Sequence, residues 1–151
     1  MPMTNDGTQL EVSTDVPATF DTLGYEALTL TTVGEVVDIG EIGADYADIT
    51  SYVLARRAVN HYKGSRDWGE TPITVENEKD DAGQVILKDH HNGAKIDDQV
   101  SFAVTRQNGD KLYFTALVYT FKDQSIAQDS MYRASVTIRI VDESVVEAPA
   151  A

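Results

Sequence analysis

The sequence predicts a mainly β protein: a small β-sandwich or open barrel with one flanking α-helix over about 81–92. Three observations predict it. Asn108-Gly109 separates two β-rich runs, 100–106 and 111–121, which is a strong short-range hairpin signal and predicts a type I′ turn. Residues 131–141 alternate cleanly, with Tyr132, Ala134, Val136, Ile138 and Ile140 facing in and Arg133, Ser135, Thr137 and Arg139 facing out, as in a half-buried strand. The stretch 82–91 carries helix boundary signals: Asp81 with Gln84 three residues later resembles a capping box, and Asn92-Gly93 is a good left-handed stop.

Residues 1–18 are polar, lack a helical period and read as a flexible N-terminal arm. Residues 27–33 and 35–39 are β-rich runs broken by Gly34 and ended by Gly40. From 43 to 68 no clean period exists, and 49–59 fits either a short helix or an extended loop, so 43–68 reads as a long connection that needs a functional reason. A short strand covers 71–75. Ala82, Val85, Ile86 and Leu87 supply the helix's apolar side, and a helix this short must pack on a sheet to be stable. In the run 111–121, Leu112, Phe114, Ala116 and Val118 lie on one face, and Tyr113, Leu117, Tyr119 and Phe121 on the other. A strand apolar on both faces requires cover on both. Residues 19–142 thus form a single domain, and 143–151 a simple acidic tail. Neither arm nor the 43–68 loop is expected to stabilise the body.

The chain has 151 residues, 25 acidic and 12 basic, for a net charge of −13. A domain of this size buries about 68–70% of its unfolded surface and needs no metal or disulfide staple. It has no cysteine, which excludes disulfides and thiolate metal sites. No apolar run approaches the ~20 residues that span a bilayer, and the polar, acidic N-terminus resembles neither a signal nor a transit peptide, so the expectation is cytoplasmic synthesis without membrane anchoring. Affinity for nucleic acid comes largely from Lys and Arg. So acidic a chain should repel DNA, which suits either simple solubility or a surface that DNA passes without sticking.

No catalytic or cofactor motif emerges. His90 and His91 are adjacent at a helix end, about 100° apart, and cannot readily share a metal; no spacing ties His61 to them. Asp80-Asp81-Ala82-Gly83 lacks the alternating oxygens of a calcium loop, and Asp97-Asp98 reads as a turn entering a strand. Neither a phosphate-binding glycine loop nor a Gly-x-Ser-x-Gly nucleophile is present. The expectation is a protein that is not an enzyme and takes no cofactor.

One charge asymmetry stands out. Residues 1–55 hold ten acids and no Lys or Arg, after which Arg56, Arg57, Lys63 and Arg66 follow with no acid between them. The segment is either a solvated loop with balancing charges or a surface complementary to the acidic face of another copy. In the second case Tyr62 and Trp68 would anchor the contact, being residue types enriched in interface hot spots. The candidate interface set is therefore Arg56, Arg57, Tyr62, Lys63, Arg66 and Trp68.

Taken in order, TFDTLGYEALTLTTVGEVVDIGEIG (19–43), VNHYKGSRDWGE (59–70), DAGQVILKDHHNG (81–93) and QDSMYRASVTIRIVD (128–142) resemble the major tail tube protein of long, non-contractile-tailed (siphovirus-type) bacteriophages and of related gene transfer agents. The resemblance covers roughly 17–142. It implies hexameric rings stacked into a tube, with 43–68 as the inter-ring loop and Arg56, Arg57, Lys63 and Arg66 meeting acids of the next ring. It also implies tape-measure, tail-tip or baseplate and tail-terminator partners, a virion location after assembly in the host cytoplasm, and genomic DNA passing through the lumen without specific binding. If the outward face of 131–141 is the lumen wall, Arg133 and Arg139 require paired acids. The alternative is a monomeric β-sandwich binding module, a virion decoration or a glycan binder using Tyr52, Tyr62 and Trp68.

Overall fold

The computed structural model describes residues 3–92, 98–124, 127–141 and 144–149. In chain order the elements are β1 (Gln9–Ser13), α1 (Thr22–Glu26), β2 (Thr31–Val33), β3 (Val36–Ile39), β4 (Asp45–Tyr52), β5 (Val59–Asp67), β6 (Glu70–Glu76), α2 (Ala82–Asn92), β7 (Val100–Thr105), β8 (Lys111–Asp123), β9 (Arg133–Ile140) and β10 (Val146–Ala148). Strands β4 and β5 form a separate two-stranded sheet. The rest form one antiparallel sheet in the order β2-β1-β7-β8-β9-β6-β3, with β10 also on β8.

That order forces curvature. Laid flat, seven strands would hold β2 and β3 about 29 Å apart. Only Gly34 and Glu35 join them, a link whose flanking Cα atoms can stand at most about 11 Å apart. The sheet therefore rolls until its two ends meet, and its inner face closes on one core. Leu10, Val12, Phe102, Phe114, Ile73, Val75, Val136 and Ile138 all bury there, with the Phe102 and Phe114 rings stacked 5.2 Å apart. This is the small sandwich with one substantial helix that the patterning predicts, left open at the seam between β2 and β3.

Helix α2 is fixed at that seam. Asp81 accepts from the Gln84 amide at 3.0 Å, as an N-cap should, and also from the Gly34 amide at 3.1 Å. The Gln84 side chain does not complete a capping box. Its oxygen accepts from the Glu78 amide at 3.0 Å, and its nitrogen donates to the Gly34 and Glu76 carbonyls, both at 3.0 Å. Glu35, at φ 59, turns the corner in the left-handed region, and its carbonyl takes the Glu76 amide at 2.8 Å. The buried helix residues are Gly83, Gln84, Leu87 and His90; of the expected apolar side Leu87 buries and Ile86 packs against the core, while Ala82 and Val85 are exposed. The expected stop at Gly93, and Asp97, lie outside the described residues.

The opposite face of β7 and β8 has its own cover. Tyr25 of α1 stacks 5.1 Å from Tyr113 and packs with Ala103 and Ala148. Its hydroxyl donates to the Ser144 carbonyl at 2.7 Å and lies 2.9 Å from the Thr115 hydroxyl. Burial raises the Tyr25 phenol above its ordinary 10.0, outweighing the hydroxyl side chains of Thr115 and Ser144, which lower it. Below pH 10 the phenol is neutral in both folded and unfolded chains. Above it the unfolded chain ionises first, so this contribution to stability is lost as pH rises towards the folded value. Tyr25→Phe should cost about 1–3 kcal/mol, by leaving the buried Ser144 carbonyl without its donor, and should flatten the loss of stability above pH 10. Chemical denaturation across that range checks both.

Several sequence expectations change. Residues 1–18 are not an arm throughout: β1 pairs with β2 on one side and β7 on the other, and Leu10 and Val12 are core residues. Residues 143–151 contain β10, which pairs with β8 beyond the point where β9 leaves it. The run 27–33 contributes a strand only at Thr31–Val33. The turn at Asn108-Gly109 is not type I′. Only Gly109 has positive φ (92°), the Gly109 amide meets the Arg106 carbonyl at 2.9 Å, and the Arg106 amide meets the Asp110 carbonyl, which makes a longer loop built on a type I turn. A bulge between Val118 and Thr120 then swings Phe121 opposite Val136, onto the core side. Tyr119 stays outside, and Tyr132 is exposed rather than inward-facing.

Candidate assembly surface

The 43–68 segment is neither helix nor irregular loop. It is a β-hairpin in which β4 and β5 pair antiparallel from Asp45↔Asp67 to Tyr52↔Val59. Strands of eight and nine residues rise about 3.3 Å per residue, so the hairpin reaches roughly 25 Å from its root. A bulge between Tyr46 and Asp48 twists it. Gly64 sits there with the Ala47 carbonyl and the Ile49 side chain both 3.1 Å from where a Cβ would stand.

The hairpin has no core of its own. Ile49, Tyr52, Val59 and Tyr62 are all exposed, as are Val53 and Leu54 in the tip, where the Arg56 amide closes a turn on the Val53 carbonyl at 3.0 Å. Local contacts stiffen it. His61 Nδ1 lies 3.0 Å from Asp48, and the Lys63 ammonium stands 4.8 Å from the centre of the Tyr46 ring. An isolated two-stranded hairpin is marginally stable in water. This one exposes a run of apolar residues and carries no acid between Ile49 and Arg66.

The six candidate interface residues therefore separate into three places. Arg56 and Arg57 lie in the tip, while Tyr62, Lys63 and Arg66 run back along β5. Trp68 stands at the root, half-buried against the main core, with the Arg66 guanidinium 5.5 Å from the centre of its ring. Trp68 is thus joined to the body and not to the hairpin's free surface. The apolar tip residues Val53 and Leu54, and Ile49 opposite Tyr62, belong to the same surface but carry no pattern that marks them in the sequence.

The outward face of β9 is also ordered by charge. Arg139 meets Glu70 at 2.8 Å and lies 5.4 Å from the centre of the Tyr119 ring, and Arg133 meets Glu76 at 3.7 Å. Both acids come from β6, directly opposite their partners in the ladder. Of the histidines, His90 is a core group whose Nδ1 donates to the Ile86 carbonyl at 2.8 Å, one helical turn back.

Comparison with known proteins is structural only, since the sequence matches no family model and no curated protein. A chain of the six-fold symmetrised anti-feeding prophage baseplate superposes with a TM-score of 0.67, covering 99% of this chain and 97% of the other at 4% identity. The SPP1 tail tube gives 0.65 at 13% identity, over 98% of this chain and 80% of that one. A chain of the sheath/tube terminator of the PVC extracellular contractile injection system, in its extended state, gives 0.66 at 10% identity, over 98% and 97%. The fold is one shared by tail tube, terminator and baseplate assemblies. It occurs in contractile and phage systems alike, so it does not by itself select the siphovirus type.

Proposed function

We propose that this chain is a structural subunit of a tail tube, polymerising as stacked hexameric rings around a channel through which a genome passes. The observation that carries the reading is the free-standing basic hairpin on an otherwise acidic body. Its exposed apolar residues gain cover only from another molecule, and its cations are complementary to the acids of a second copy. The fold shared with tail tube and terminator chains supports the same role. In that role the hairpin bridges successive rings, and tape-measure, tail-tip or baseplate and terminator proteins bound the tube. A non-contractile phage tail and a gene transfer agent are both accommodated.

The paired arginines bear on the channel. If the β6–β9 face lines it, each arginine is held by a glutamate and offers phosphate little free charge. The binding-module alternative gains nothing comparable. Tyr52 and Tyr62 fall on opposite faces of the hairpin by the two-residue strand period, and Trp68 is packed at its root, so the three do not converge on one groove.

Electron microscopy of concentrated protein, with mass measured on the same sample, tests the reading. Rings or hollow tubes are expected; monodisperse monomer at every concentration would return the chain to the binding-module class. Arg56→Glu with Arg57→Glu should raise the concentration needed for assembly by about tenfold or more, because two attractions become repulsions. Circular dichroism should stay unchanged, since both side chains lie in the exposed tip.

A further inference from the structure

The body carries a cleft of about 710 Å³ at the hairpin's root. Its apolar lining includes Val36, Ile39, Ile42, Trp68 and Val145, the partly buried residues that fringe the core. Acids surround it: Asp6 from the segment before β1, Asp38 from β3 and Glu147 from β10, against Arg106 as the single cation among the described lining residues. One wall is β3, an end strand of the sheet that pairs with β6 alone among the described strands. An end strand of this kind invites a partner.

The hairpin tip has the opposite character. Val53 and Leu54 are exposed and apolar, and Arg56 and Arg57 follow them with no acid nearby in sequence. We propose that the cleft is the receptor for the hairpin tip of a second copy, with Leu54 and Val53 covering the apolar floor and Arg56 and Arg57 facing Asp6, Asp38 and Glu147. The tip cannot serve its own cleft. Gly43, Ala44 and Trp68, which line the cleft, are the hairpin's own root, and the tip stands roughly 25 Å from them along paired strands. A contact between two different patches of the same chain is heterologous and propagates from copy to copy. Each added subunit supplies a new free cleft or a new free tip. The docking therefore accounts for growth along one axis, and it rests on the reading of the chain as a self-assembling tube subunit.

Because the chain has no cysteine, a pair can be introduced cleanly. Leu54→Cys combined with Val37→Cys, a cleft residue on β3 that is itself exposed, should give a ladder of covalent oligomers on oxidation, reversed by reductant. Each single variant should stop at dimer. Leu54→Cys with Lys122→Cys is the control, since Lys122 lies near the far end of β8 from the cleft residue Leu112. A second arm swaps charge. Assembly weakened about tenfold or more by Arg56→Glu and Arg57→Glu should recover when Asp38→Lys and Glu147→Lys are added. Oligomers that form normally but cross-link no better through Val37→Cys than through Lys122→Cys would overturn the docking and leave the tube reading standing. Monomer alone at every concentration, in the unaltered chain, would overturn both.

Discussion

A chain lacking residues 1–13 should fail to fold. This segment reads as a polar arm, yet its last five residues are β1, paired between β2 and β7. Two of them, Leu10 and Val12, are fully buried in the main core. Burying an aliphatic side chain of this size is worth about 1.5–3 kcal/mol, so the pair contributes roughly 3–6 kcal/mol against a net stability of about 5–15 kcal/mol for a typical domain. The ladder adds to the loss. Without β1, the three-residue β2 has no partner among the described strands, and β7 exposes an edge next to Phe102. Circular dichroism and urea unfolding of the truncated chain test this. Leu10→Ala in the full chain keeps the strand and should cost about 2–5 kcal/mol, whereas Glu11→Gln, on the other face, should cost far less. A truncated chain with the full chain's unfolding midpoint would make residues 1–13 the dispensable arm the sequence suggests.

The contrast between β1 and β9 shows what makes an element legible. In β9, four alternate residues bury and their neighbours stay half-exposed, so the two-residue period is written across the whole strand. In β1 only Leu10 and Val12 carry the period, flanked by Gln9 and Glu11, and two apolar residues cannot stand out from an acidic N-terminus. β10 hides for the same reason, in three residues. Helix α1, at five residues, is too short for a period of 3.6 to repeat; it is fixed by Asp21, which accepts the Gly24 amide at 2.7 Å, and by Tyr25 reaching across to Ser144.

The hairpin is illegible for a different reason. Strand patterns record burial, and β4 and β5 bury nothing within the chain, so no face is marked. Its charge is legible and its shape is not. The same physics explains α2, where the seated face is Gly83, Gln84, Leu87 and His90. Three of these four residues are not aliphatic: Gly83 lies against the β2 backbone and Gln84 hydrogen-bonds at the seam, while Leu87, with Ile86 beside it, enters the side-chain core. The two faces of β8 cannot be assigned from sequence either, since a single extra residue at Tyr119 exchanges the sides beyond it.

Gly83→Ala decides whether α2 is seated in this way, because two effects of opposite sign compete. Within a helix, glycine is about 1 kcal/mol less favourable than alanine, so propensity alone predicts that the substitution stabilises the protein. Packing predicts the reverse. A Cβ at Gly83 would stand 2.6 Å from the Val33 Cα and 2.7 Å from the Thr32 carbonyl oxygen, both main-chain atoms of β2 that cannot rotate away. The helix cannot back off freely either. Asp81 and Gln84 hold its first turn to Gly34, Glu76 and Glu78 through bonds of 3.0–3.1 Å, and each buried polar group left unpaired costs about 1–3 kcal/mol. Overpacking costs about 1–3 kcal/mol or more. With one such bond stretched, the sum exceeds the propensity gain, and a net loss of about 1–5 kcal/mol is expected in urea unfolding. Val85→Ala, on the exposed side of the same helix, separates the two effects by changing little. A Gly83→Ala protein more stable than the parent would mean that α2 does not rest on the β2 backbone. A loss in Gly83→Ala, with Val85→Ala close to the parent, would place the constraint at the seam. There the same first turn ties together β2, the corner at Glu35 and the end of β6, so displacing it loosens both ends of the rolled sheet at once.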